Sequence, residues 1–514
     1  MSSATPPSVA SATAAGSAPA AGASPAVVPE VRVPAPGTTS GYLVFGTGRL
    51  DESYARGGVV HLVEHLVMRR LGPLDIEANA TTAPHHLSFE AHGTPTVVKE
   101  FLERVVATIA GLGTLTDAEA LAEKRVIDHE MRSWSPHPSL YAIRERLGVR
   151  GEALGAVDPP GRCFLTTAEV IDHAREHLVR ENAVLVIVGE APEGIDLGAL
   201  PAAGTARPGR GALTLLPLVT PGFVRRPGAP VSISVLGSRA DPRHTLAVNV
   251  LDVLLYERVR TEEQLAYLAE VDTQDLDHDL SQVTFVCDAV EDGAAVAVLT
   301  VVRLLRRIAA EGLPDGVLER GRHRALALLD HPGWIAARAH EDAARALLGR
   351  LVVPLDEERD QVLATSGEDV RSWLADALPS LLAVLPDESD PKLEAELRSM
   401  GLVLADPPPP PLTGRSFRPK PFRGTPAAFR LVLDEHAIGV VGPELSVTVT
   451  DEDLVGVEDT AEGFLVVGVD GTTIPVTVRD WWGARAPLAA YLARVPAGLR
   501  IPDAATCPCP RPDR

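Results

Sequence analysis

The chain has 514 residues, enough for roughly three to four domains. Apolar residues make up 45% of it, which excludes a wholly disordered chain. The formal net charge of −21 argues against broad non-specific binding to nucleic acid, because neutralising phosphates requires a surplus of Lys and Arg.

Residues 1–28 are rich in Ala, Ser, Pro and Gly, a composition that predicts a disordered tail. This tail has neither the basic region nor the continuous apolar region of a signal peptide. No later stretch approaches the length of uncharged apolar sequence that a membrane-spanning helix needs. We therefore expect a cytoplasmic protein without a membrane span.

Two blocks of similar length carry similar signals. In residues 29–201, the strand-like stretches SGYLVFGTG, HHLSFEAHG and AVLVIVGEA alternate with helical ones. A Gly- and Pro-rich linker is predicted at 202–221. Residues 222–404 repeat the mixture, with strand-like APVSISVLGSRA and SQVTFVCDA and helical HTLAVNVLDVLLYERVR. The two blocks predict a duplicated α+β unit.

The C-terminal part has a different character. Residues 405–425 are Pro-rich and predict a semi-rigid linker. Short strands separated by turns follow in 426–503, with a hairpin signal at Asp470-Gly471 and a closing helix. Several strands closed by one helix resemble a pleckstrin-homology-like β domain. Residues 504–514 predict a flexible tail.

The chemistry begins in the stretch HLVEH, with His61, Glu64 and His65. Residues three and four apart share one face of a helix, so the two imidazoles project side by side. Paired imidazoles of this kind bind Zn²⁺, and the glutamate can accept a proton from water. Catalytic zinc needs three protein ligands, so one ligand must come from elsewhere in the chain.

A second helix, TLTDAEALAEKRVIDHEMRSW, offers a candidate. Thr116 and Glu119 fit a capping box at its start. Glu123, Ile127 and Glu130 follow at helical spacing and form one stripe. Two glutamates on such a stripe are unusual for a packing face and favour a polar pocket facing the first helix.

The HLVEH stretch matches the inverted zinc motif of the pitrilysin/insulinase family of metallopeptidases, which includes mitochondrial processing peptidase. Glu123 and Glu130 have the spacing of two glutamates in a later helix of that family. The resemblance implies one Zn²⁺ per chain, held by His61, His65 and Glu130. It also implies that Glu64 is the general base and that Glu123 has a supporting role.

Two further segments extend the resemblance to roughly residues 30–400. Asn79, Ala80, Thr81 and Thr82 stand where the family has an Asn-Ala-x-Thr edge strand, which would bind a peptide substrate as an added β-strand. RTEEQLAY, with Arg260 and Tyr267, is similar to a segment of the family's second, zinc-free domain. The resemblance implies that Arg260 and Tyr267 contact the substrate or the reacting carbonyl; from the residues alone they could equally be an ordinary helix-end pair.

The sequence departs from the family in two places. The distance from His65 to Glu130 is shorter than usual, and the missing residues fall between MRRLG and IEANATT, where the family has a further helix. Gln264 stands before Leu265 where the family has glycine, which affects the shape of that loop.

The resemblance implies two homologous α+β domains, each with a mixed, largely antiparallel sheet and helices on one side. It predicts a zinc metalloendopeptidase that cleaves peptides, leader segments or propeptides. Family members enclose the substrate in a chamber of four α+β domains, so two domains imply a homodimer or a heterodimer with a second family member. The alternative is a non-catalytic partner subunit or a peptide-binding scaffold. Three other histidines, His85, His86 and His92, lie on a strand and a turn away from the motif helix, and we expect them at the surface or in a substrate channel.

Overall fold

The computed structural model describes residues 27–203, 213–226, 229–289, 291–386, 391–406, 412–423, 425–443 and 445–507. Most of the N-terminal tail and the end of the C-terminal tail, both predicted to be flexible, lie outside these residues. Val28 belongs to the segment predicted to be disordered, but it is buried in the first core because it packs with apolar side chains there. Among the described residues, the helices are all too short or too polar to cross a membrane.

The first half is a five-stranded mixed sheet with the strand order β1-β5-β2-β4-β3. Only the pair β1–β5 is parallel. The elements of this half are β1 (Glu30–Val33), β2 (Thr39–Phe45), α1 (Val59–Leu71), β3 (Glu77–Thr82), β4 (Leu87–Gly93), α2 (Pro95–Ala110), α3 (Asp117–Glu130), α4 (Pro138–Leu147), α5 (Thr167–His177) and β5 (Ala183–Val188).

The second half repeats this topology, with the order β11-β6-β10-β7-β9-β8. Without the short strand β11, each strand stands where its counterpart stands in the first sheet, and β6–β10 is the corresponding parallel pair. The predicted duplicated α+β unit is therefore confirmed. The elements are β6 (Gly222–Arg226), β7 (Ser232–Ser238), α6 (His244–Leu255), β8 (Ala269–Asp275), β9 (Leu280–Cys287), α7 (Glu291–Glu311), α8 (Val317–Leu329), α9 (Pro332–Leu347), α10 (Leu355–Ala364), α11 (Gly367–Ala377), β10 (Leu382–Pro386), α12 (Pro391–Ser399) and β11 (Val403–Leu404).

The helices of each half cover one face of their own sheet and one face of the other half's sheet. Alternate residues of a strand point to opposite faces, and in β5 Leu185 joins the core under α1 and α2 while Val186 packs against Ala343 of α9. In the second sheet, Leu382 and its neighbours pack against α4 from the first half. The exchange of α4 and α9 buries both faces of both sheets.

The C-terminal part consists of two four-stranded sheets, ordered β12-β13-β14-β15 and β18-β17-β16-β19, around a core closed by one helix. Asp470 and Gly471 lie in the turn between β17 and β18, and Gly471 has φ +81°, so the predicted hairpin is confirmed. The pleckstrin-homology-like assignment stays a prediction. The elements are β12 (Arg415–Phe417), β13 (Arg430–Leu433), β14 (Ala437–Val441), β15 (Ser446–Thr450), β16 (Leu454–Thr460), β17 (Gly463–Gly468), β18 (Thr473–Thr477), α13 (Arg485–Arg494) and β19 (Arg500–Ile501).

The Pro-rich segment 405–425 is not linker throughout, because β12 lies inside it and pairs with β13. β12 is an edge strand of three residues, and an edge is where a sheet tolerates neighbouring prolines without losing ladder hydrogen bonds. The C-terminal part also touches the first half directly, where the Tyr54 hydroxyl donates to Glu458 at 2.8 Å.

Candidate metal centre

The motif helix α1 has a fixed starting point. Glu52 accepts hydrogen bonds from the backbone N–H groups of Gly58 at 2.7 Å and Val60 at 2.8 Å. These are donors that a helix N-terminus leaves without a partner inside the helix. Burial raises the pKa of Glu52 to about 7, against the lowering effect of the two N–H groups. Because His61 directly follows Val60, this contact helps to set the position of the first histidine.

Helix α3 begins with the predicted capping box. The Glu119 N–H donates to the Thr116 hydroxyl, and the Glu119 carboxylate accepts from the Thr116 N–H at 2.9 Å. The same carboxylate accepts two hydrogen bonds from Arg70 of α1, at 3.0 and 3.1 Å. One turn further along α3, Arg69 donates to Glu123. These two Arg–Glu pairs fix the alignment of α3 on α1.

Three side chains meet where this alignment brings the end of α3 over the motif. His61 Nε2 and His65 Nε2 are 3.2 Å apart. One carboxylate oxygen of Glu130 lies 3.6 Å from His61 Nε2 and 3.4 Å from His65 Nε2. The histidines are about one-sixth exposed, whereas the Glu130 side chain is half exposed. The two nitrogens and the oxygen form a nearly equilateral triangle that is open on the Glu130 side.

This triangle has the dimensions of a tetrahedral zinc site. Zinc binds imidazole nitrogen and carboxylate oxygen at about 2.1 Å, which places two ligand atoms of a tetrahedron about 3.4 Å apart. The observed separations are 3.2, 3.4 and 3.6 Å. Two nitrogens and one oxygen are also a donor set of catalytic zinc sites. The residues present therefore fit the ion that the sequence predicts.

Glu123 orients the second histidine. Its carboxylate is buried, lies 3.3 Å from His65 Nδ1 and also accepts from Arg69. A carboxylate paired with arginine is ionised and can only accept hydrogen bonds, so His65 Nδ1 must donate. The lone pair of that ring is then on Nε2, the atom that faces His61 and Glu130. This contact accounts for a buried glutamate on a stripe that would otherwise be apolar.

His61 is held in the neutral form. Burial lowers its pKa to about 3, and the positive charges of Arg49 and Arg162 lower it further. A neutral imidazole is the form that binds metal ions. His61 is therefore ready to act as a ligand at neutral pH without first losing a proton.

The Glu64 side chain has a different hydrogen-bond partner from the side chains of the two histidines. The hydroxyl of Thr82, at the end of β3, donates to its carboxylate. Burial raises the pKa of Glu64, an effect opposed by the Thr82 hydrogen bond and the positive charge of Arg49 and reinforced by the negative charge of Glu130. A carboxylate with a raised pKa is a stronger base than an exposed one.

The predicted substrate strand is at an edge. Within the described part of the first sheet, β3 pairs only with β4. The side chains of Asn79 and Thr81 are exposed, whereas Ala80 is buried in the core against the sheet. Thr82 points to the same side as Ala80 and reaches Glu64. The free edge of β3 thus ends beside the candidate base.

Arg260 and Tyr267 lie in the second half. The Arg260 guanidinium packs over the Tyr267 ring at 4.5 Å and over the Tyr256 ring at 5.1 Å. Tyr267 is 78% exposed. Among the described residues, this cluster contacts its own half of the chain and does not contact His61, Glu64 or Glu130. The predicted roles of Arg260 and Tyr267 in the reaction therefore stay predictions.

The two departures from the family pattern leave the site's elements in place. Only residues 72–76 connect α1 to β3, and both metal-facing helices are complete. Gln264, at the position where the family has glycine, adopts φ +54°, in the left-handed region that glycine favours. The backbone keeps a shape that suits glycine although the residue has a side chain.

Several contributors were not singled out from the sequence. Arg69 was accessible to sequence reasoning, because it is four residues after His65 and shares its face. Glu52 acts across a gap in the sequence that carries no periodic signal. Thr82 belongs to the predicted edge strand, but its contact with Glu64 was not predicted. His86 was expected at the surface or in a channel but is buried, because its side chain points to the face of the first sheet that α9 covers.

No family model and no curated protein matches the sequence, but solved structures share its fold. A chain of complex III from Candida albicans is 16% identical with a TM-score of 0.56, over 72% of this chain and 96% of that one. A protease from Helicobacter pylori is 15% identical with a TM-score of 0.58, over 70% and 96%. An inactive M16 peptidase domain from Pseudomonas fluorescens is 16% identical with a TM-score of 0.53, over 69% and 93%. The chain therefore has the M16 peptidase fold, a fold found both in a protease and in a domain described as inactive.

Proposed function

We propose that the chain is a zinc-dependent endopeptidase. The observation that carries the proposal is the triangle formed by His61, His65 and Glu130, whose edges of 3.2 to 3.6 Å match tetrahedral zinc. Zn²⁺ held by these three residues would polarise a substrate carbonyl and make a water molecule more acidic. The half-exposed side of Glu130 leaves room for substrate and water to approach.

Glu64 is the proposed general base. Its buried carboxylate would take a proton from the attacking water and pass it to the leaving amine. The Thr82 hydroxyl holds one carboxylate oxygen in place, so that Glu64 keeps one orientation. Because burial raises the pKa of Glu64, its carboxylate accepts the proton more readily than an exposed carboxylate would, and the resulting acid can return that proton to the leaving amine.

The edge of β3 is the proposed peptide-binding strand. An extended peptide paired along this edge would form main-chain hydrogen bonds that require little of its sequence. Since β3 ends at Thr82, beside Glu64, such a peptide would pass the base. Peptides, leader segments or propeptides in an extended state fit this arrangement better than folded proteins.

An assembly of two chains belongs to the proposal. The chain has two α+β halves, and the resemblance to the pitrilysin/insulinase family implies a chamber of four. We propose a homodimer or a heterodimer with a second chain of this fold. Light scattering on the purified chain measures its mass, and a dimer would support the homodimer. A monomer that becomes active only when a second protein is added would indicate a heterodimer.

A second candidate function is that of a non-catalytic partner subunit or peptide-binding scaffold. An inactive M16 domain and a chain of complex III share the fold, so the fold alone does not require catalysis. The presence of both histidines, Glu130 and the candidate base Glu64 favours the peptidase. The two candidates differ in what loss of Glu64 does.

The deciding experiment compares the wild type with Glu64→Gln in zinc content and in cleavage of a quenched fluorescent peptide library. We expect cleavage to fall by about 10²–10⁴-fold, the usual contribution of a general base. Zinc content should stay unchanged because Glu64 is not among the three ligands. Glu119→Gln is the matched control, since it makes the same change on α3 at a carboxylate that contacts Arg70 instead of the histidines; it should cleave far better than Glu64→Gln.

The scaffold candidate predicts a different result. Zinc binding together with equal inactivity of wild type and Glu64→Gln, as purified and as the assembled complex, would overturn the peptidase proposal. Peptide binding that is unchanged in Glu64→Gln, without cleavage by either form, would then support the scaffold.

A further inference from the structure

A second group of histidines lies on the opposite face of the first sheet from the candidate metal centre. This face is covered by α9, which belongs to the second half of the chain. Tyr42 and Val44 of β2 pack there against Ala339, Ala343 and Ala344 of α9. The contact is one of the two reciprocal helix-on-sheet contacts that join the halves, so any group bound in it would bear on how they are held together.

At one side of this contact, the turn between β3 and β4 meets α9. The turn contributes His85 and His86, and α9 contributes His340 and Glu341. The His85 and His86 rings lie 5.0 Å apart, and the His340 ring lies 4.8 Å from that of His86 and is stacked on Tyr42 at 4.9 Å. His86 is 1% exposed. Three imidazoles thus lie together at the boundary between the halves.

Three of the four side chains direct possible ligand atoms toward one place. One ring nitrogen each from His85 and His86 and one carboxylate oxygen of Glu341 all lie within 4.8 Å of one another. His85 Nε2 and the Glu341 oxygen are 3.9 Å apart, too far for a hydrogen bond. The carboxylate is 40% exposed, so the group has a path to solvent.

The separation between His85 Nε2 and the Glu341 oxygen is longer than a hydrogen bond but close to the distance between two ligands of one metal ion. Two ligands of one tetrahedral Zn²⁺ are about 3.4 Å apart, and at the candidate metal centre the edges run from 3.2 to 3.6 Å. Closing the His85–Glu341 gap from 3.9 Å requires about half an ångström of movement by exposed carboxylate atoms. The two edges that involve His86 are at most 4.8 Å and would have to shorten by at most about 1.4 Å. A hydrogen bond would require a closer approach, to about 2.9 Å.

We propose that His85, His86 and Glu341 form a second divalent transition-metal site, of the Zn²⁺ class, that links the two homologous halves of the chain. The donor set of two imidazoles and one carboxylate suits this class of ion. His340 is a positioning residue, because its ring packs against His86 and Tyr42. The site is separate from His61, His65 and Glu130, which lie on the other face of the sheet, and it does not depend on peptidase activity.

Metal stoichiometry tests the site directly. After dialysis against a low concentration of Zn²⁺ and removal of free metal, the wild type should retain two ions per chain. The double variant His61→Ala/His65→Ala should retain one, as should Glu341→Gln. The triple variant should retain none. Circular dichroism checks that each variant is folded, and Glu341→Gln is chosen because it keeps the size of a half-exposed side chain.

A thermal shift measurement isolates the second site. In the His61→Ala/His65→Ala background, added Zn²⁺ should raise Tm by several degrees, because an ion that binds only the folded state stabilises it. The rise should disappear when Glu341→Gln is added. His340→Gln in the same background should weaken the rise without removing it.

The outcomes separate this proposal from the proposed function. One ion in the wild type that is lost in His61→Ala/His65→Ala and kept in Glu341→Gln would overturn the second site and leave the peptidase site standing. One ion that is lost in Glu341→Gln and kept in the double variant would support the second site and count against the first. Two ions retained by Glu341→Gln would overturn the second site.

Discussion

The two halves of the chain share a strand order but differ where their first and third helices meet. In the first half, α1 and α3 leave a space between them that is lined by His61, His65, Glu123 and Glu130. In the second half, α6 and α8 stand in the corresponding places and are closely packed. Gly321 of α8 lies so near α6 that a Cβ there would come within 2.4 Å of a Val250 methyl.

The buried residues of α3 and α8 explain the difference. In α8 they are Val317, Gly321, Ala325 and Leu329, an apolar stripe with small residues at its centre. Such a stripe lets two helices approach closely and leaves no room for polar groups. The buried set of α3 has one large apolar side chain, Ile127, and two charged ones. One architecture therefore yields an open polar gap or a closed apolar contact according to a few residues on one helix.

A gap of this kind must be held open and aligned by something other than apolar packing. The Arg69–Glu123 and Arg70–Glu119 pairs serve that purpose in the first half. In the second half, Arg324 of α8 pairs with Asp252 of α6 at 2.6 Å, and Asp252 also accepts from the backbone of β8. Loss of the polar contacts between α1 and α3 should therefore remove the open gap that distinguishes the first half from the second.

Among these tests of the comparison, the largest effect is expected from Glu123→Gln, on the affinity for the metal ion. The variant keeps the shape of the side chain but removes the charge that fixes the His65 tautomer and pairs with Arg69. Loss of such a supporting contact usually lowers metal affinity by about 10–100-fold. Competition with a chromogenic chelator measures it, with Glu176→Gln as the control, since that glutamate lies exposed on α5 and is not part of the contact between α1 and α3. Equal affinities in Glu123→Gln and the wild type would contradict the role assigned to Glu123.

Gly321→Ala tests the closed contact in the second half. Overpacking costs about 1–3 kcal/mol, and contacts of 2.4 and 2.9 Å with Val250 place Gly321→Ala in the upper half of that range, at about 2–3 kcal/mol. The better helix propensity of alanine returns about 1 kcal/mol. We expect a net loss of about 1–2 kcal/mol in the free energy of unfolding, measured with urea. The control is Gly367→Ala in α11, where the nearest side-chain atoms would lie at 3.7 and 3.9 Å, in ordinary contact. A Gly321→Ala variant as stable as this control would show that α6 and α8 are not tightly packed.

The local part of this comparison was predictable and the long-range part was not. Spacing within a helix placed His61 beside His65, and Glu123 in line with Glu130, because helical periodicity depends only on neighbouring residues. The duplicated topology followed from two similar series of strand and helix signals. The fold class was therefore predictable from the sequence.

What the sequence did not reveal depends on residues that meet only after folding. That α4 and α9 each cover the sheet of the other half was not predicted, because the spacing of apolar residues does not identify the surface that a helix covers. The contact of Thr82 with Glu64 and the approach of Glu341 to His85 join segments with no shared periodicity. The edge strand β12 was hidden because prolines near it resemble those of a linker.

Gln264→Gly addresses the loop of the second half that carries Arg260 and Tyr267. A left-handed conformation costs a residue with a side chain about 1–2 kcal/mol, and the extra freedom of glycine in the unfolded chain takes back about 0.5–1 kcal/mol. We expect a gain of about 0.5–1 kcal/mol in the free energy of unfolding, seen as a small rise in Tm. Gln264→Ala is the control, since alanine keeps the strain and should give no gain. A loss of stability with glycine would mean that the Gln264 side chain makes a stabilising contact.

The smallest effect concerns pH and the pair that aligns α3 on α1. Hydrogen bonds from Arg70 lower the pKa of Glu119 to about 2, with a further contribution from Thr116. A folded-state pKa below the ordinary value means that the pair stabilises the protein above about pH 4.5 and loses that effect as pH falls toward 2. The stability difference between wild type and Glu119→Gln should therefore narrow over this range.

Urea unfolding at several pH values, in the presence of a chelator, measures this narrowing without interference from metal release. Arg70→Gln should show the same narrowing, because it removes the other partner of the pair. The double variant should be no more sensitive to pH than either single one, since a pair contributes only while both partners are present. A difference that stays constant from pH 6 to pH 3 would mean that Glu119 aligns the helices through its capping of α3 alone, and the open gap of the first half would then owe its alignment to Arg69 and Glu123.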